Sequence, residues 1–375
     1  MLLRMSPDAP ASGRSLRSTI TSDGQVRLAL KDQPVPELGE GQVLISVEAS
    51  PINPSDIAVL LGPTDPASLT RDGDSLVGSV PPQVVEIFRD RLDKPLPVGN
   101  EGAGTVLAGV PEMIGKRVAT FGGAMWTDYR VADAGAVVEL PDDISCGEGA
   151  ALFVNPLTAL AMVETMRAEN HTAIVHTAAA SNLGQMLVKI CQADGVPLVN
   201  IVRKPEQVEL LNGLGAEYVV DSSQPDFAQQ LTEAIRTTGA TLAFDAIGGG
   251  SLASDILNAM ERAQPPLESW TPYGTTVLKQ VYIYGALDFG PTVVHRGFGL
   301  TWSVSGFLLT VAIGKLGGET FMRMRERVMA EAKTTFASSF AGTVGLADLL
   351  DTEKLGVIAQ RATGTKYLVD PSSDR

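Results

Sequence analysis

The sequence predicts an α/β protein in which a doubly wound parallel sheet is joined to a second, β-rich domain. From about residue 17 to 140, apolar and polar residues alternate with period two, whereas from residue 157 onward helical periods alternate with short buried strands. The chain has 375 residues, of which 44% are hydrophobic. This is enough for two cores of ordinary domain size, so we expect two domains.

The first part of the chain carries the pattern of half-buried strands. Residues 18–21 and 25–30 flank Ser22, Asp23 and Gly24, a turn signal that predicts a β-hairpin. Further strands are predicted over residues 42–49, 104–108, 116–121 and 126–131.

Residues 62–98 interrupt this pattern with a segment rich in Pro, Gly and Asp, in which residues 83–92 have a helical period. Long segments of this kind in a compact domain are usually functional or disordered. Two interpretations stay open, a surface excursion and a lid over a substrate cleft.

The second part of the chain predicts the alternating elements of a doubly wound sheet. Residues 172–177 and 197–202 are apolar, β-branched strands on either side of an amphipathic helix that opens at Gly184. Later helices are predicted over residues 206–214, 227–237 and 252–262, and later strands over residues 217–221, 241–245 and 281–284.

Residues 297–314 carry no charge and are about as long as a membrane span. Glycine, serine and threonine dilute their apolar character, which favours a buried helix or a subunit contact instead. A basic helix over residues 319–332 and a helix–strand pair ending at residues 366–369 follow. Because this tail is too small to stand alone, we expect it to return to the first domain.

The turn at residues 178–184, Ala-Ala-Ala-Ser-Asn-Leu-Gly, stands where a dinucleotide-binding unit carries three glycines. Ala179 and Ser181 replace the first two glycines, and Gly184 is retained. The turn can still hold a phosphate, because helix N-terminal amides and the Ser181 hydroxyl can donate to it. The cofactor contacts predicted here are Ala179, Ala180, Ser181, Asn182 and Leu183. An ordinary strand–helix turn with an N-capping Ser or Asn is the alternative.

The end of the second strand indicates which nicotinamide cofactor is bound. An NAD-binding unit places an Asp or Glu there, on the ribose 2′-hydroxyl. This chain has Arg203 and Lys204 instead, and no acid between residues 197 and 204. A guanidinium and an ammonium group suit a 2′-phosphate, so we predict NADPH; two solvated charges ahead of a helix are the alternative.

Two more stretches follow predicted strands, Gly248-Gly249-Gly250 and Tyr284-Gly285-Ala286. Ligands of doubly wound sheets bind beyond the carboxyl ends of the strands, which makes both stretches candidates for cofactor contact. Turn chemistry alone would require the same glycines.

Charge and cysteine content limit the partners. The net charge of −14 argues against nucleic acid and anionic membranes as partners. Cys146 and Cys191 lie in apolar runs and are too few for a disulfide framework or a four-thiolate zinc site, which indicates a reducing compartment. Asp8 and two prolines favour a floppy N-terminal tail over a transit peptide, so we expect a cytoplasmic protein.

Six short motifs, taken in order, resemble the zinc-independent quinone oxidoreductase branch of the medium-chain dehydrogenase/reductase superfamily. They lie at residues 52–56, 99–104, 155–159, 178–184, 244–249 and 361–364. The resemblance covers nearly the whole chain. It implies a Rossmann dinucleotide-binding domain over residues 156–298 and a β-rich, GroES-like catalytic domain made of residues 1–155 and 299–375.

Alcohol dehydrogenases of this superfamily hold a catalytic zinc ion with a Cys, a His and a second Cys. The matching positions here are Asn53, Asn100 and Val154, which offer neither thiolate nor imidazole, so we expect no metal. The resemblance then implies NADPH-dependent hydride transfer to a quinone or a conjugated enone. It places Asn53 near the nicotinamide, where its amide can donate to a developing oxyanion, and Asp56 as a residue that orients the loop.

The resemblance also extends to cofactor contacts. It places Asn155, Thr158, Gly248, Tyr284, Gly285 and Ala286 at the cofactor, with Arg203, Lys204 and Arg361 on the adenosine phosphate. Related enoyl-thioester reductases carry a Tyr proton donor two residues after the glycine matching Gly62, where this chain has Thr64. Thr64 argues against an enoyl-thioester reductase, which is kept as an alternative. A non-catalytic NADPH-binding protein is another alternative, because the sequence shows no unambiguous acid or base.

The resembled branch implies a homodimer that pairs through the edge of the nucleotide-domain sheet. Residues 281–284 form an aromatic, β-branched strand that would leave an adhesive edge if it were uncovered. The uncharged residues 297–314 would add an exposed apolar patch. The alternative buries that helix inside its own subunit.

Overall fold

The protein is described by a computed structural model, which covers residues 10–267, 269, 271–360, 364 and 366–374. The chain divides into two compact units. Unit 1 consists of Met1–Val154 and Ala337–Arg375, and unit 2 of Asn155–Phe336. Unit 1 is β-rich and unit 2 contains a doubly wound parallel sheet, which confirms the predicted fold class.

The strands and helices of the first part of unit 1 follow the chain. The strands are β1 (Ser12–Ile20), β2 (Gln25–Pro34), β3 (Gln42–Pro51), β4 (Thr70–Asp72), β5 (Ser75–Ser79), β6 (Leu96–Pro97), β7 (Glu101–Gly109), β8 (Arg117–Phe121), β9 (Tyr129–Asp133) and β10 (Val137–Glu139). The helices are α1 (Pro54–Leu61), α2 (Pro82–Val85) and α3 (Cys146–Gly149). The predicted hairpin is present as β1 and β2, which pair from Ile20 opposite Val26 outward.

The segment at residues 62–98 is an ordered part of unit 1. Strands β4 and β5 form a hairpin that extends the sheet β4-β5-β2-β1-β6. Leu69 and Leu76 are buried in the same core as β1 and α1. Arg91 Nη2 donates to Ser18 Oγ at 3.1 Å and to Val59 O at 2.9 Å, which fixes the end of the segment. The helix predicted over residues 83–92 is divided into α2 and a 3-10 turn, Arg89–Arg91.

Unit 2 alternates helices and strands as its periodicity predicts. The helices are α4 (Val154–Ala168), α5 (Asn182–Asp194), α6 (Pro205–Gly213), α7 (Phe227–Thr238), α8 (Leu252–Ala263), α9 (Leu309–Leu316) and α10 (Gly318–Ala330). The strands are β11 (Ile174–His176), β12 (Leu198–Val202), β13 (Tyr218–Asp221), β14 (Leu242–Asp245), β15 (Gly248–Gly250), β16 (Lys279–Ile283), β17 (Asp288–Thr292) and β18 (Trp302–Gly306).

The main sheet of unit 2 has the parallel order β13-β12-β11-β14-β16-β18. Its strand order reverses between β11 and β14, and this switch point is where doubly wound sheets bind ligands. Valines on the strands, such as Val175 and Val281, pack against Ile235 of α7 and Ile256 of α8. The short strands β15 and β17 pair with each other outside this sheet.

Two predictions about the end of unit 2 are wrong. The strand predicted at residues 281–284 is not an edge strand, because β16 pairs with β14 on one side and β18 on the other. The uncharged residues 297–314 do not form one helix, because they contain β18 and the start of α9. Trp302 and Val304 alternate with serines, which is the period of a strand. This strand, β18, is the outer strand of the sheet.

The tail returns to unit 1 later than predicted. Because β18, α9 and α10 belong to unit 2, the second boundary lies at Ala337 and not at residue 299. The returning tail contains β19 (Gly342–Val344), α11 (Thr352–Ala359) and β20 (Tyr367–Val369). Strand β20 pairs antiparallel with β3 and completes the order β10-β8-β7-β3-β20-β19, in which β9 also pairs with β3.

One helical stretch among the described residues, Cys146–Ala168, has the length and apolar character of a membrane span. Of its most apolar window, 78% is buried inside the protein, as is typical of a core helix. Such a stretch is weak evidence for a membrane segment.

Candidate functional site

The switch point of unit 2 brings most of the predicted cofactor residues together. The turn after β11 is held against the neighbouring strand by Ala179 N, which donates to Ile201 O at 3.2 Å. Ser181 then caps α5, because its Oγ accepts from Gly184 N at 3.1 Å. Asn182 is the first residue of the helix, so the first-turn amides lie at the carboxyl end of β11.

Position 184 accepts only glycine, because the turn passes close to the start of α5. A Cβ at this position would lie 2.1 Å from Ala179 O, which no side chain can accept. Ala179 and Ala180 are fully buried and Leu183 is nearly so, which leaves the backbone amides, the Ser181 hydroxyl and the Asn182 side chain as the polar groups of the turn. This cradle fits an anionic phosphate at a helix N-terminus.

A buried carboxylate that the sequence analysis did not single out holds the two central strand ends together. Asp245 Oδ1 accepts from Thr177 Oγ1 at 2.7 Å and from Ile247 N at 3.0 Å, and Oδ2 accepts from Gly248 N at 3.1 Å. Thr177 Oγ1 in turn accepts from Ala246 N at 2.8 Å. These bonds fix the turn that leads into Gly248, which has a positive φ of 80°. An Asp at the end of a buried strand, three residues before a run of glycines, is the signal that could have predicted this.

Tyr284 lies at the end of β16 and bonds a histidine. His176 Nε2 and the Tyr284 hydroxyl are 2.8 Å apart, and their rings stack at 5.7 Å. Burial lowers the pKa of His176 to about 3, so the imidazole is neutral at physiological pH. Burial, with a smaller effect of Asp245, raises the pKa of Tyr284, so the phenol stays protonated.

The turns after β14 and β16 approach each other closely. A Cβ on Gly285 would lie 2.6 Å from Ala246 O, and a Cβ on Gly248 would lie 2.7 Å from Gly285 O. Ala286 follows at the exposed end of this turn. The predicted residues Gly248, Tyr284, Gly285 and Ala286 are therefore neighbours in unit 2.

Arg203 and Lys204 are exposed at the carboxyl end of β12, where the spacing argument places them. Arg203 N donates to Gln207 Oε1 at 3.0 Å, which anchors the backbone and leaves the guanidinium on the surface. Ser222 N, directly after β13, donates to Val202 O at the same strand end, at 2.8 Å.

Two of the predicted cofactor residues lie on α4, and a third is not among the described residues. Asn155 and Thr158 are on the first turns of α4, and Thr158 is 8% exposed. Arg361 lies outside the described residues.

The predicted catalytic residues lie in unit 1, at the start of α1. Asn53 precedes the helix, and Asp56 Oδ2 accepts from Asn53 N at 2.8 Å. Asp56 Oδ1 accepts from Asn100 N at 2.8 Å. With both oxygens bound to backbone amides, Asp56 joins the loops at residues 53 and 100.

Asn53 bonds a second buried carboxylate, that of Glu101. Asn53 Nδ2 donates to Glu101 Oε1 at 2.9 Å, while Glu101 Oε2 accepts from Phe153 N at 3.0 Å and from Val154 N at 2.8 Å. The Asn53 side chain also faces the backbone N–H of Asp56, in a capping box at the start of α1. Glu101 lies in the motif at residues 99–104, but no role was predicted for it.

The charges around Asn53 perturb one another. Burial raises the pKa of Asp56 to about 7, and the nearby Glu101 charge acts in the same direction. Burial also raises the pKa of Glu101 and lowers the pKa of Lys366, which contributes a positive charge to both carboxylates. Lys366 Nζ is buried, 5.8 Å from the Phe340 ring centroid, and has no hydrogen-bond partner among the described residues.

The positions that match zinc ligands carry other contacts. Asn100 Nδ2 donates to Ser55 Oγ at 2.9 Å, and the Val154 amide bonds Glu101. Across residues 10–267, 269, 271–360, 364 and 366–374, no three His, Cys, Asp or Glu side chains are grouped so that they could hold a metal ion.

Comparisons with known proteins agree with this architecture. Residues 183–263, which lie in unit 2, match the family model described as zinc-binding dehydrogenase. A mitochondrial enoyl-[acyl-carrier-protein] reductase of Caenorhabditis elegans is 28% identical over 247 residues, which are 63% of this chain and 64% of the relative. The human protein of the same name is 25% identical over 78% of this chain and 74% of its own length.

Solved structures are similar over almost the whole chain. A proposed NADPH:quinone reductase from Mesorhizobium loti has 27% identity and a TM-score of 0.73, with 97% of this chain and 99% of that chain covered. A mycobacterial protein crystallised with NADPH has a TM-score of 0.66 at 21% identity and covers 96% of this chain and 100% of its own, which shows a shared fold. The switch-point cradle, the returning tail and these matches together make the chain an oxidoreductase of the medium-chain dehydrogenase/reductase superfamily.

Proposed function

We propose that the protein is an NADPH-dependent reductase that transfers a hydride to a quinone or a conjugated enone without zinc. The observation that carries the cofactor assignment is the pair of exposed cations, Arg203 and Lys204, at the end of β12, where an acid would be needed to hold NAD. The Mesorhizobium loti structure, at 27% identity, supports the acceptor class.

The residues of unit 2 have distinct roles in this proposal. Arg203 and Lys204 bind the adenosine 2′-phosphate, and the start of α5 with the Ser181 hydroxyl binds the pyrophosphate. The hydrogen bonds of Asp245 keep the Gly248 turn rigid beside them. NADPH supplies the hydride; the protein binds and orients the reactants.

Independence of zinc rests on residue chemistry. The side chains of Asn53, Asn100 and Val154 provide no thiolate or imidazole, and the first two are already hydrogen-bonded in unit 1. Without a Lewis acid, the acceptor must need little polarisation, as a quinone or an enone does.

An enoyl-thioester reductase is the second candidate, because several relatives carry that name at 25 to 28% identity. Thr64 argues against this candidate, because it stands at the position of the Tyr proton donor in those reductases. The Thr64 side chain is buried in unit 1, and its hydroxyl has no partner among the residues described. Turnover of a crotonyl thioester faster than of any quinone would favour this candidate.

A non-catalytic NADPH-binding protein is the third candidate. Stopped-flow measurement of NADPH oxidation against a panel of quinones, enones and enoyl thioesters separates it from the other two. Binding of NADPH without oxidation by any acceptor would support it.

The cofactor assignment is tested with Arg203→Ala. We expect the Kd for NADPH to rise about tenfold, equivalent to about 1.4 kcal/mol, because one charge-assisted contact to the 2′-phosphate is lost. The Kd for NADH should not change. Arg323→Ala, which removes an exposed arginine from α10 of the same unit, is the matched control. An unchanged NADPH affinity in Arg203→Ala would contradict the assignment.

We also propose a homodimer that pairs through unit 2. The outer strand β18 has one neighbour in its sheet, β16, and Leu308 and Val311 beside it are 63% and 53% exposed. Light scattering should give a mass near that of two 39.4 kDa chains at micromolar concentration. A mass of one chain, unchanged on concentration, would contradict this.

A further inference from the structure

We propose that unit 2 has a second small-molecule site, a cleft between α4, α9 and the face of the main sheet, and that it binds an α-amino acid with an apolar side chain. The cleft encloses about 450 Å³, part of it open to solvent, and its lining residues belong to unit 2. Sites for small molecules commonly have this size. The inference goes beyond the proposed reductase activity, because none of the described lining residues is assigned to the cofactor.

The apolar part of the cleft is formed by aromatic rings on the sheet and aliphatic side chains of α9. The rings of Tyr282 and Phe307 pack edge to face, with centroids 5.5 Å apart. Phe307 also packs edge to face against Phe244 at 5.0 Å, so its ring is fixed from two sides. Val311 and Leu316 line the cleft from the helix. A branched or aromatic side chain of a ligand would bury its apolar surface here.

Glu169 supplies the cleft with a carboxylate in a fixed orientation. Its Oε1 accepts from the Tyr282 hydroxyl at 2.6 Å, and its Oε2 accepts from Gln280 Nε2 at 3.1 Å. Burial, with a smaller effect of Glu169, raises the pKa of Tyr282 to about 12, so the phenol keeps the proton that it donates. Glu169 forms no ion pair with any residue that the structure describes. This carboxylate is therefore an oriented acceptor for a cationic ligand group.

Lys315 brings the opposite charge to the same cleft. It stands in the last turn of α9 and is exposed. It has neither a hydrogen bond nor an ion pair with another residue of the described chain. Because its ammonium group is carried on a flexible four-carbon chain, it can follow the position of a bound carboxylate. The cleft thus offers one acid and one base that do not pair with each other.

These two charges select the class of ligand. A fatty acid would bring a second carboxylate towards Glu169, and an alkylamine would bring a second cation towards Lys315. A neutral apolar molecule would remove water from both charges without replacing it. A zwitterion with an apolar body pairs with both. An α-amino acid such as leucine or phenylalanine carries an ammonium and a carboxylate group on one carbon, together with a side chain that suits the apolar wall.

A second copy of the chain is the competing occupant, because the exposed residues Leu308 and Val311 line this cleft and also support the proposed dimer. Strand pairing at β18 would extend the main sheet in its own plane. The cleft instead opens on the face of the sheet, between α4 and α9. The dimer therefore uses the edge of the outer strand, and the ligand uses the face beside it.

The inference is tested by isothermal titration calorimetry with leucine and two analogues. The analogues are 4-methylpentanoate, which lacks the amine, and leucinol, which lacks the carboxylate. We expect leucine to bind with a Kd of about 1 mM or lower, and each analogue to bind about tenfold more weakly because one charge-assisted contact is lost. Absence of saturable leucine binding would overturn the proposal. The measurement needs neither NADPH nor turnover, so it remains decisive if the proposed reductase activity fails.

Two variants show which charge meets which group of the ligand. In Lys315→Ala, leucine and leucinol should bind about equally, because the carboxylate has lost its partner. In Glu169→Gln, leucine and 4-methylpentanoate should bind about equally, because the amine has lost its partner. Each variant should keep the other discrimination. Analogues that are discriminated in both variants as in the wild type would show that leucine binds elsewhere and would contradict the proposal.

Matched controls are Glu206→Gln and Lys333→Ala, which change exposed charges of unit 2 outside the cleft and should leave all three affinities unchanged. Thermal unfolding checks that each variant folds. Protein concentration separates the ligand from a second copy, with light scattering on the same samples. The Kd for leucine should not depend on the dimer fraction. A Kd that rises as the dimer forms would show that a second copy covers the cleft and would overturn the assignment.

Discussion

Buried carboxylates occur in both units, and their surroundings differ. In unit 2, Asp245 stands at the switch point with a hydroxyl and two backbone amides as donors. In unit 1, Asp56 and Glu101 are close enough to repel each other, and Lys366 lies near both without a hydrogen bond to either. A single carboxylate with a complete set of donors holds a backbone in place, whereas clustered buried charges with shifted pKa values mark a site suited to chemistry.

The largest expected effect comes from removing the structural carboxylate. Asp245→Ala leaves the Thr177 hydroxyl and the amides of Ile247 and Gly248 as buried donors without an acceptor. We expect unit 2 to lose about 3 to 5 kcal/mol of stability, at about 1 to 3 kcal/mol for each unpaired group with partial relaxation. Hydrogen exchange followed by mass spectrometry measures the two units separately.

The control for this variant is Asp288→Ala, which removes an exposed carboxylate that accepts from one backbone amide, that of Gly290. If Asp245→Ala destabilised unit 2 no more than Asp288→Ala, Asp245 would not be the residue that holds the switch point together.

A smaller effect is expected when the stability of unit 1 is measured as a function of pH. The pKa of Asp56 in the folded protein is about 7, above its usual value of 3.8, so the folded state keeps a proton that the unfolded state releases. The stability of unit 1 should therefore fall as pH rises from about 4 to 7, by up to about 1.4 kcal/mol per pH unit for this group.

Asp56→Asn should remove that part of the slope, although the new amide also clashes with one backbone donor and lowers stability at all pH values. Glu101 contributes a slope of the same sign in both proteins, and the lowered pKa of Lys366 one of opposite sign. The difference between wild type and variant in denaturant titrations therefore reports Asp56 together with the effect of its charge on Glu101. Parallel stability curves for the two proteins would show that Asp56 is ionised throughout this range.

The smallest expected effect comes from substituting two helical glycines, one in each unit, that lie outside both sites. Gly314 in α9 and Gly356 in α11 are mid-helix glycines, and a Cβ at either position would meet nothing within 4 Å. Gly314→Ala and Gly356→Ala should stabilise unit 2 and unit 1, respectively, by about 0.5 to 1 kcal/mol, because alanine loses less backbone entropy. A loss of stability in either variant would show that its glycine has a packing role.

Local patterns were sufficient to predict the elements that carry strong periodicity. The hairpin at Gly24, the strands and helices of unit 2 and the return of the tail follow from alternation, turn residues and apolar runs. The outer strand β18 was missed because its residues, Trp-Ser-Val-Ser-Gly, lie in an uncharged run where strand and helix periods are hard to separate.

The site was harder to predict because its contacts join distant parts of the chain. Asn53 and Glu101 are 48 residues apart, and Lys366 comes from the returning tail. A motif can indicate that an amide stands at residue 53, but its hydrogen-bond partner Glu101 lies on a strand that local patterns do not connect to it. The exposed residues Arg203 and Lys204 needed no partner, so spacing along one strand and helix was enough to place them.

The position of β20 has a consequence for synthesis on the ribosome. Residues Pro51 and Ser50 of β3 pair with Leu368 and Val369, which are made only after all of unit 2 has been translated. Unit 2 has its complete sheet as soon as β18 emerges, whereas the nascent first unit must wait with that end of β3 unpaired. The order of completion in the cell is therefore the reverse of the order in which the two units begin, and the exposed strand end is a place for a chaperone to act.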